Sequence, residues 1–185
     1  AGDSLRNLGN AAYTAEGVEP AMALWRASLA KHEALGDTVG VARSLGNLGA
    51  GFYGAGALDS ASVHYSRSRE LALGVGDFST AANALTMLAT LSKETGDLAQ
   101  AGVLYLRALE THQRLGALRS VAADRHNLGL LALELGDMEE ARQEFERAIA
   151  ASRRSGHRDD EADHLSSLAD VALAEGGYAE AGAFL

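Results

Sequence analysis

Apolar side chains recur along the chain at intervals of three and four residues, which is the spacing of one face of an α-helix. One such stripe comprises Val121, Leu128, Leu131, Ala132 and Leu135. A second comprises Ala141, Phe145, Ala148 and Ile149. The pair Gly136–Asp137 separates them. The pattern therefore predicts one helix over about 117–135 and another over 138–155.

The break at Gly136 has a local explanation. Glycine adopts the left-handed conformation that ends many helices, and an aspartate beside it can cap the next helix by accepting backbone N–H bonds. We therefore predict that Gly136 ends one helix and Asp137 caps the next. The same pair occurs as Gly36–Asp37, Gly76–Asp77 and Gly96–Asp97, whereas Gly116–Ala117 and Gly156–His157 lack the aspartate.

These breaks belong to a repeat of 40 residues. The in-phase positions are Gly36, Gly76, Gly116 and Gly156; Gly56, Gly96, Gly136 and Gly176; Leu8, Leu48, Leu88, Leu128 and Leu168; Ala21, Ala61, Ala101, Ala141 and Ala181; and Trp25, Tyr65, Tyr105, Phe145 and Leu185. Each repeat holds two helices. We expect a single array over 1–185, of about four and a half repeats (1–35, 36–75, 76–115, 116–155 and 156–185). Because both ends lack a polar capping element, we expect a segment of a longer protein.

The spacing of Leu128–Gly129, Gly136, Ala141, Phe145 and Ala148 resembles the tetratricopeptide repeat (TPR). The resemblance covers essentially the whole chain. It implies an all-α fold, a right-handed superhelical solenoid of antiparallel helix pairs with a concave groove lined by the first helix of each pair. The period is longer than the basic 34 residues of the family. It resembles the variety found in kinesin light chains, Pins-type adaptors and C-terminal arrays of bacterial regulators.

The resemblance also indicates which side chains face the groove. Asparagine precedes the register leucine in three repeats, as Asn7, Asn47 and Asn127, and in similar adaptors such an asparagine bonds the partner's backbone. Alternatively, these amides bond a neighbouring helix or face water. The other groove candidates are Arg6, Asn10, Tyr13, Arg43, Tyr53, Asn83, Thr90, Lys93, Glu94, His126, Glu134, Asp163 and Asp170. Cations dominate the first half and carboxylates the second, which predicts a ligand of complementary charge polarity.

Composition narrows the function. The formal net charge of −9 disfavours nucleic acid or an anionic membrane as a direct partner. Cysteine is absent, so there is neither a disulfide framework nor a thiolate site. No apolar run has the length of a membrane span and no signal peptide is visible, so we expect a cytoplasmic protein. The arginine-rich, lysine-poor composition is typical of a high-GC bacterium.

Three weaker signals predict no chemistry. The Gly-x-Gly-x-x-Gly of residues 49–54 lies inside a predicted helix, where it fits a loosened helix or close packing better than a dinucleotide site. No histidines have a metal-ligand spacing, and acidic residues between His157 and His164 suit helix capping. The charged stretch around Glu144 is interpreted as a solvated face. We therefore expect no catalytic residues, no metal and no cofactor.

The sequence thus favours a non-enzymatic interaction module that binds a peptide or partner domain in its groove. The bacterial resemblance suggests the sensor or scaffold arm of a signalling or transcriptional regulator. The alternative is a self-assembly module that forms homo-oligomers through uncapped repeat ends.

Overall fold

A computed structural model describes residues 2–184, and within that range the chain forms helices and no strands. The ten helices are α1 (Gly2–Glu16), α2 (Val18–Ala34), α3 (Thr38–Gly54), α4 (Leu58–Gly74), α5 (Phe78–Glu94), α6 (Leu98–Arg114), α7 (Leu118–Leu135), α8 (Met138–Ser155), α9 (Arg158–Ala174) and α10 (Tyr178–Phe184). The predicted all-α class and antiparallel helix pairing are confirmed, because very short turns join successive helices that pack on each other.

The turns have the predicted geometry. Gly136 ends α7 in the left-handed conformation, with φ of 81°. The Asp137 carboxylate then accepts a hydrogen bond of 3.0 Å from the Glu140 N–H and caps α8. Equivalent caps are provided by Asp37, Asp77 and Asp97. Ala117 and His157 provide no side-chain cap, as their sequence indicated.

Small residues let the helices of a pair approach closely. Ala21, Ala61, Ala101 and Ala141 are fully buried. A Cβ added to Gly49 would lie 2.8 Å from the Tyr65 ring, and one added to Gly129 would lie 2.6 Å from the Phe145 ring. Real Cβ atoms do not approach so closely, so an alanine at either position would force the aromatic ring to shift. Of the two interpretations of the glycine-rich α3, Gly49 thus supports close packing.

The helices form two compact units that divide between Leu91 and Ser92, inside α5. Unit 1 has one hydrophobic cluster around Trp25 and Leu48 and another around Tyr65 and Leu91. Unit 2 has a cluster around Phe145 and Leu168 and another around Leu109 and Val121. Each cluster joins one helix pair to the next, which is how repeat proteins extend a core. Leu185 of the predicted aromatic register lies outside the described residues.

One sequence-based interpretation is wrong. Glu144 is only 5% exposed, because its carboxylate accepts a hydrogen bond of 2.8 Å from Arg125 on α7 and also pairs with Arg147. The face around Glu144 is therefore an ion-paired contact between α7 and α8.

Candidate functional site

Unit 1 contains a pocket of about 470 Å³ lined by α1, α3, α4 and α5, which we call the arginine pocket. Its polar lining residues are Arg6, Arg43, Asn47, Tyr65, Ser68, Ser79, Thr80 and Asn83. Its small or apolar ones are Gly46, Ala50, Ala84 and Met87. Four of the predicted groove residues, Arg6, Arg43, Asn47 and Asn83, are thus brought together in one place. They lie on the first helices of three successive pairs.

The two arginines are held by carboxylates outside the lining. Arg43 donates to Asp77 through Nε at 3.1 Å, and Arg6 lies 3.0 Å from Asp3. Asp77 also caps α5 through Thr80. Burial raises the pKa of Asp77, but the hydrogen bonds from Thr80 and Arg43 outweigh burial, so the pKa falls below its ordinary value. Asp77 therefore stays charged and fixes Arg43 at the pocket edge.

Two donors in this pocket lack a partner. The Tyr65 hydroxyl and the Arg6 Nη1 are both shielded from water, and neither makes a hydrogen bond. Tyr65 is 2% exposed, and burial raises the pKa of its hydroxyl well above the ordinary value. The hydroxyl therefore remains protonated and available as a donor. Buried polar groups without partners are uncommon and require an explanation.

Asn47 uses part of its hydrogen-bonding capacity within unit 1. Its Nδ2 donates to Asn10 Oδ1 at 2.7 Å, and the same oxygen accepts a bond of 2.9 Å from Trp25 Nε1. One N–H of Asn47 therefore bonds a neighbouring helix, as in the alternative interpretation, while its side chain still lines the pocket. Asn7 is exposed on α1 and does not line this pocket.

Three other predicted residues of unit 1 lie outside the arginine pocket. Tyr13 is 40% exposed and packs its ring 5.6 Å from that of Trp25. Tyr53 is half-buried against the Tyr65 cluster. Thr90 donates to the Thr86 carbonyl oxygen of its own helix at 3.1 Å. These side chains support local structure.

Unit 2 contains a smaller pocket of about 250 Å³ between α7 and α9, which we call the histidine pocket. Its lining residues are Arg119, Ala123, His126, Asn127, Asp160, Asp163 and His164. The Nδ1 atoms of His126 and His164 are 3.0 Å apart, so one ring donates to the other. Arg119 donates to Asp160 at 2.8 Å. The predicted residues His126, Asn127 and Asp163 meet here.

The two histidines are kept neutral. Burial, followed by the nearby His164 charge, lowers the pKa of His126 to about 4, although Asp163 acts in the opposite direction. Burial also lowers the pKa of His164, partly offset by Asp160 and Asp163. The Nε2 atom of His164 is buried without a partner.

The last predicted residues lie elsewhere in unit 2. Lys93 Nζ lies 3.7 Å from a carboxylate oxygen of Glu134. Glu94 and Asp170 are exposed on α5 and α9 and line neither pocket. Among residues 2–184, no group of three or more His, Asp or Glu side chains is arranged to hold a metal ion. None of the described helices combines the length and apolarity needed to cross a membrane.

The sequence interpretation overlooked Tyr65, because its register position indicated core packing. It also overlooked Arg119 and Asp160, which form an ion pair between successive repeats. A usable signal was present in the repeat register: the position of His164 is buried in repeats two to five, where Ser44, Ala84, Asp124 and His164 occupy it. A polar residue at a buried register position indicates a specific partner.

Repeated antiparallel helix pairs with glycine turns define a helical-repeat protein. The family model described as tetratricopeptide repeat matches residues 80–154 and 120–185, which together exceed half of the chain. The chain therefore belongs to the tetratricopeptide repeat family. No curated protein matches the sequence.

Solved structures have the same fold. BtubC (BKLC) from P. vanneervenii has a TM-score of 0.80 at 24% identity, covering 99% of this chain and 76% of that one. A Rap protein complexed with competence and sporulation factor has a TM-score of 0.87 at 18% identity, covering 97% and 50%. TPR-like repeats of a putative kinesin light chain from Podosopora anserina give 0.71 at 17% identity, covering 98% and 90%. This chain thus spans half the length of the Rap protein.

Proposed function

We propose that this chain is a non-enzymatic protein-interaction module and that its arginine pocket binds an extended peptide. The observation that carries the proposal is the convergence of Arg6, Arg43, Asn47 and Asn83 on one pocket. An asparagine amide both donates and accepts, so it matches the N–H and C=O groups of a peptide unit. The likeness to a Rap protein complexed with competence and sporulation factor supports the same function.

The same likeness supports a more specific role. We propose that the module serves as the sensor or scaffold arm of a larger cytoplasmic regulator in a bacterium. Peptide binding would then bias the activity of domains beyond this array. Self-association through the repeat ends remains a prediction, and sedimentation at several concentrations tests it.

The test is selection from a random peptide library displayed on phage, with the whole chain as bait. We expect the selection to enrich peptides. Their affinity should fall about ten-fold for Asn47→Ala, because the hydrogen bond between Asn47 and the peptide backbone is lost. Asn127→Ala is the matched control, since it changes the same register position in the histidine pocket. Thermal melting shows whether the Asn47 variant keeps its fold despite losing the bond to Asn10. Absence of enrichment, or loss of affinity only for Asn127→Ala, contradicts the proposal.

The charge-polarity hypothesis has its own test. Replacing Arg43 by glutamate leaves Asp77 beside a like charge and makes the pocket edge acidic. If the peptide segment at this pocket is acidic, its affinity falls for Arg43→Glu, and the effect diminishes as salt rises. Unchanged affinity at low salt counts against the polarity hypothesis.

A further inference from the structure

Tyr65 occupies a position that the repeat pattern assigns to the core. It lies on α4, the second helix of its pair, and its ring packs against Gly49. Phe145 holds the same register two repeats later and is fully buried without any hydroxyl. Core packing at this register therefore does not need an oxygen atom. The Tyr65 hydroxyl is an additional polar group that has no partner in the free chain.

Arg6 presents a second unused donor to the same pocket. Its Nη2 is 3.0 Å from Asp3, while its Nη1 is shielded from water and makes no hydrogen bond. The side chain is 17% exposed, so most of the guanidinium has left water. An unsatisfied buried donor is costly to keep, and a charged one more so. Two such donors in one pocket indicate that a ligand supplies the missing acceptor.

We propose that Tyr65 and Arg6 bind a carboxylate side chain of the peptide ligand, with the Tyr65 O–H and the Arg6 Nη1–H donating to its oxygens. This inference rests on the proposed function. It makes Tyr65 a specificity-determining residue of the arginine pocket. The charge of Arg6 favours a carboxylate over a neutral amide, because a carboxylate only accepts and its charge-assisted bonds are stronger. No Asp or Glu lines the pocket, and Asp3 contacts Arg6 through Nη2, which leaves Nη1 for the ligand.

Access to the Tyr65 hydroxyl requires a small movement. Met87 lines the pocket and packs against the Tyr65 cluster. Methionine is unbranched and adapts its conformation readily. We expect the Met87 side chain to move when the carboxylate enters the pocket.

The experiment combines Tyr65→Phe with a change in the ligand. Peptides are first selected from the random phage library with the unmodified chain. Each enriched peptide is then synthesised with its Asp or Glu replaced by Asn or Gln. Calorimetry measures four affinities: both peptide forms with both forms of the chain. The control variant is Tyr105→Phe, at the same register in unit 2, where the tyrosine has an interaction partner and does not line the pocket.

We expect enriched peptides to share an acidic residue. Tyr65→Phe should weaken the acidic peptide about ten-fold, and should change the affinity for its amide form much less. Tyr105→Phe should leave both affinities unchanged. Phenylalanine at the register is compatible with the fold, as Phe145 shows, so loss of binding is not loss of structure.

The outcomes separate this inference from the proposed function. Failure to enrich any peptide contradicts the proposed function itself. Enriched peptides that bind Tyr65→Phe as tightly as the unmodified chain overturn the role of Tyr65 and leave peptide binding standing. Amide forms that bind as tightly as acidic forms overturn the carboxylate, because a neutral carbonyl then satisfies the donors.

Discussion

The arginine pocket and the histidine pocket occupy the same surface of the repeat, two periods apart in the sequence. Asn47 of the first corresponds to Asn127 of the second. The difference lies in the neighbours of this asparagine. Gly46 corresponds to His126, and Ala84 corresponds to His164. The imidazole rings occupy space that glycine and alanine leave open, and the pocket volumes of about 470 Å³ and 250 Å³ follow this substitution.

The two pockets also differ in which of their polar groups have partners. In unit 1 the Tyr65 hydroxyl has no partner, whereas in unit 2 the corresponding Phe145 has no hydroxyl and its ring lies 5.3 Å from that of His126. The arginine pocket retains two unused donors, whereas in the histidine pocket the two rings bond each other and only His164 Nε2 is buried without a partner among the described groups. The same repeat therefore forms an open pocket where these register positions hold glycine and alanine, and a packed ring contact where they hold histidines.

The largest expected effect concerns the helix contacts near the histidine pocket. Ala72 and Ala84 of unit 1 correspond to His112 and Asp124 of unit 2, whose buried side chains lie 2.6 Å apart. Asp124→Ala should destabilise the chain by about 1–3 kcal/mol, because it leaves the buried His112 ring without the hydrogen-bond partner at its Nδ1. Urea denaturation measures the loss.

A double variant controls for this effect. His112→Ala with Asp124→Ala restores the small pair found at Ala72 and Ala84, and it should cost less than Asp124→Ala alone. If the single variant costs under about 1 kcal/mol, the buried pair is not the source of stability at this contact.

The next largest effect is expected when the residues that distinguish the two pockets are exchanged. Gly46→His should close the arginine pocket and weaken selected peptides about ten-fold or more, because the ring fills the space a ligand needs. His126→Gly is the reciprocal variant and should leave their affinity for the arginine pocket unchanged. Calorimetry measures both. Full affinity in Gly46→His would show that the peptide binds elsewhere.

A smaller effect concerns pH. The folded-state pKa of His126 is about 4, below its ordinary 6.5, so the unfolded chain binds more protons as the pH falls. His126 therefore contributes stability above pH 6.5 that is lost as the pH falls towards 4. Across this window the unmodified chain should lose about 1 kcal/mol more than His126→Asn, allowing for partial exposure. Denaturant titrations at several pH values test this, and parallel losses would exclude the histidine contact as their cause.

The smallest effect separates stability from binding. Gly46→Ala should stabilise the chain by about 0.5–1 kcal/mol, because alanine is the better residue inside a helix. Its Cβ would lie 3.4 Å from Ser68 Oγ, which is close to ordinary contact, and would narrow the arginine pocket. Peptide affinity should therefore fall while the melting temperature rises. Gly49→Ala is the control: its Cβ would lie 2.8 Å from the Tyr65 ring, so it should lower the melting temperature.

Most of the fold could be predicted from the sequence because its determinants are local and repeated. Gly136 and Asp137 specify a helix end and a helix start through their own backbone and side-chain chemistry. Recurrence of the pair then identifies the repeat. The predicted helices over 117–135 and 138–155 agree with α7 and α8 to within a residue.

The candidate site was only partly predictable, because its key contacts join residues far apart in the sequence. The bond from Asn47 to Asn10 and the ion pair of Arg43 with Asp77 depend on how neighbouring helices pack. Tyr65 resembles Tyr105 and Phe145 in the sequence pattern, and only the three-dimensional arrangement shows that its hydroxyl lacks a partner.

The most direct test of peptide binding at the arginine pocket is an NMR titration of the labelled chain with a selected peptide. We predict that the amide signals of Gly46, Asn47 and Asn83 shift on binding, and that those of His126, Asn127 and Asp163 do not. Shifts confined to the second group would contradict this prediction.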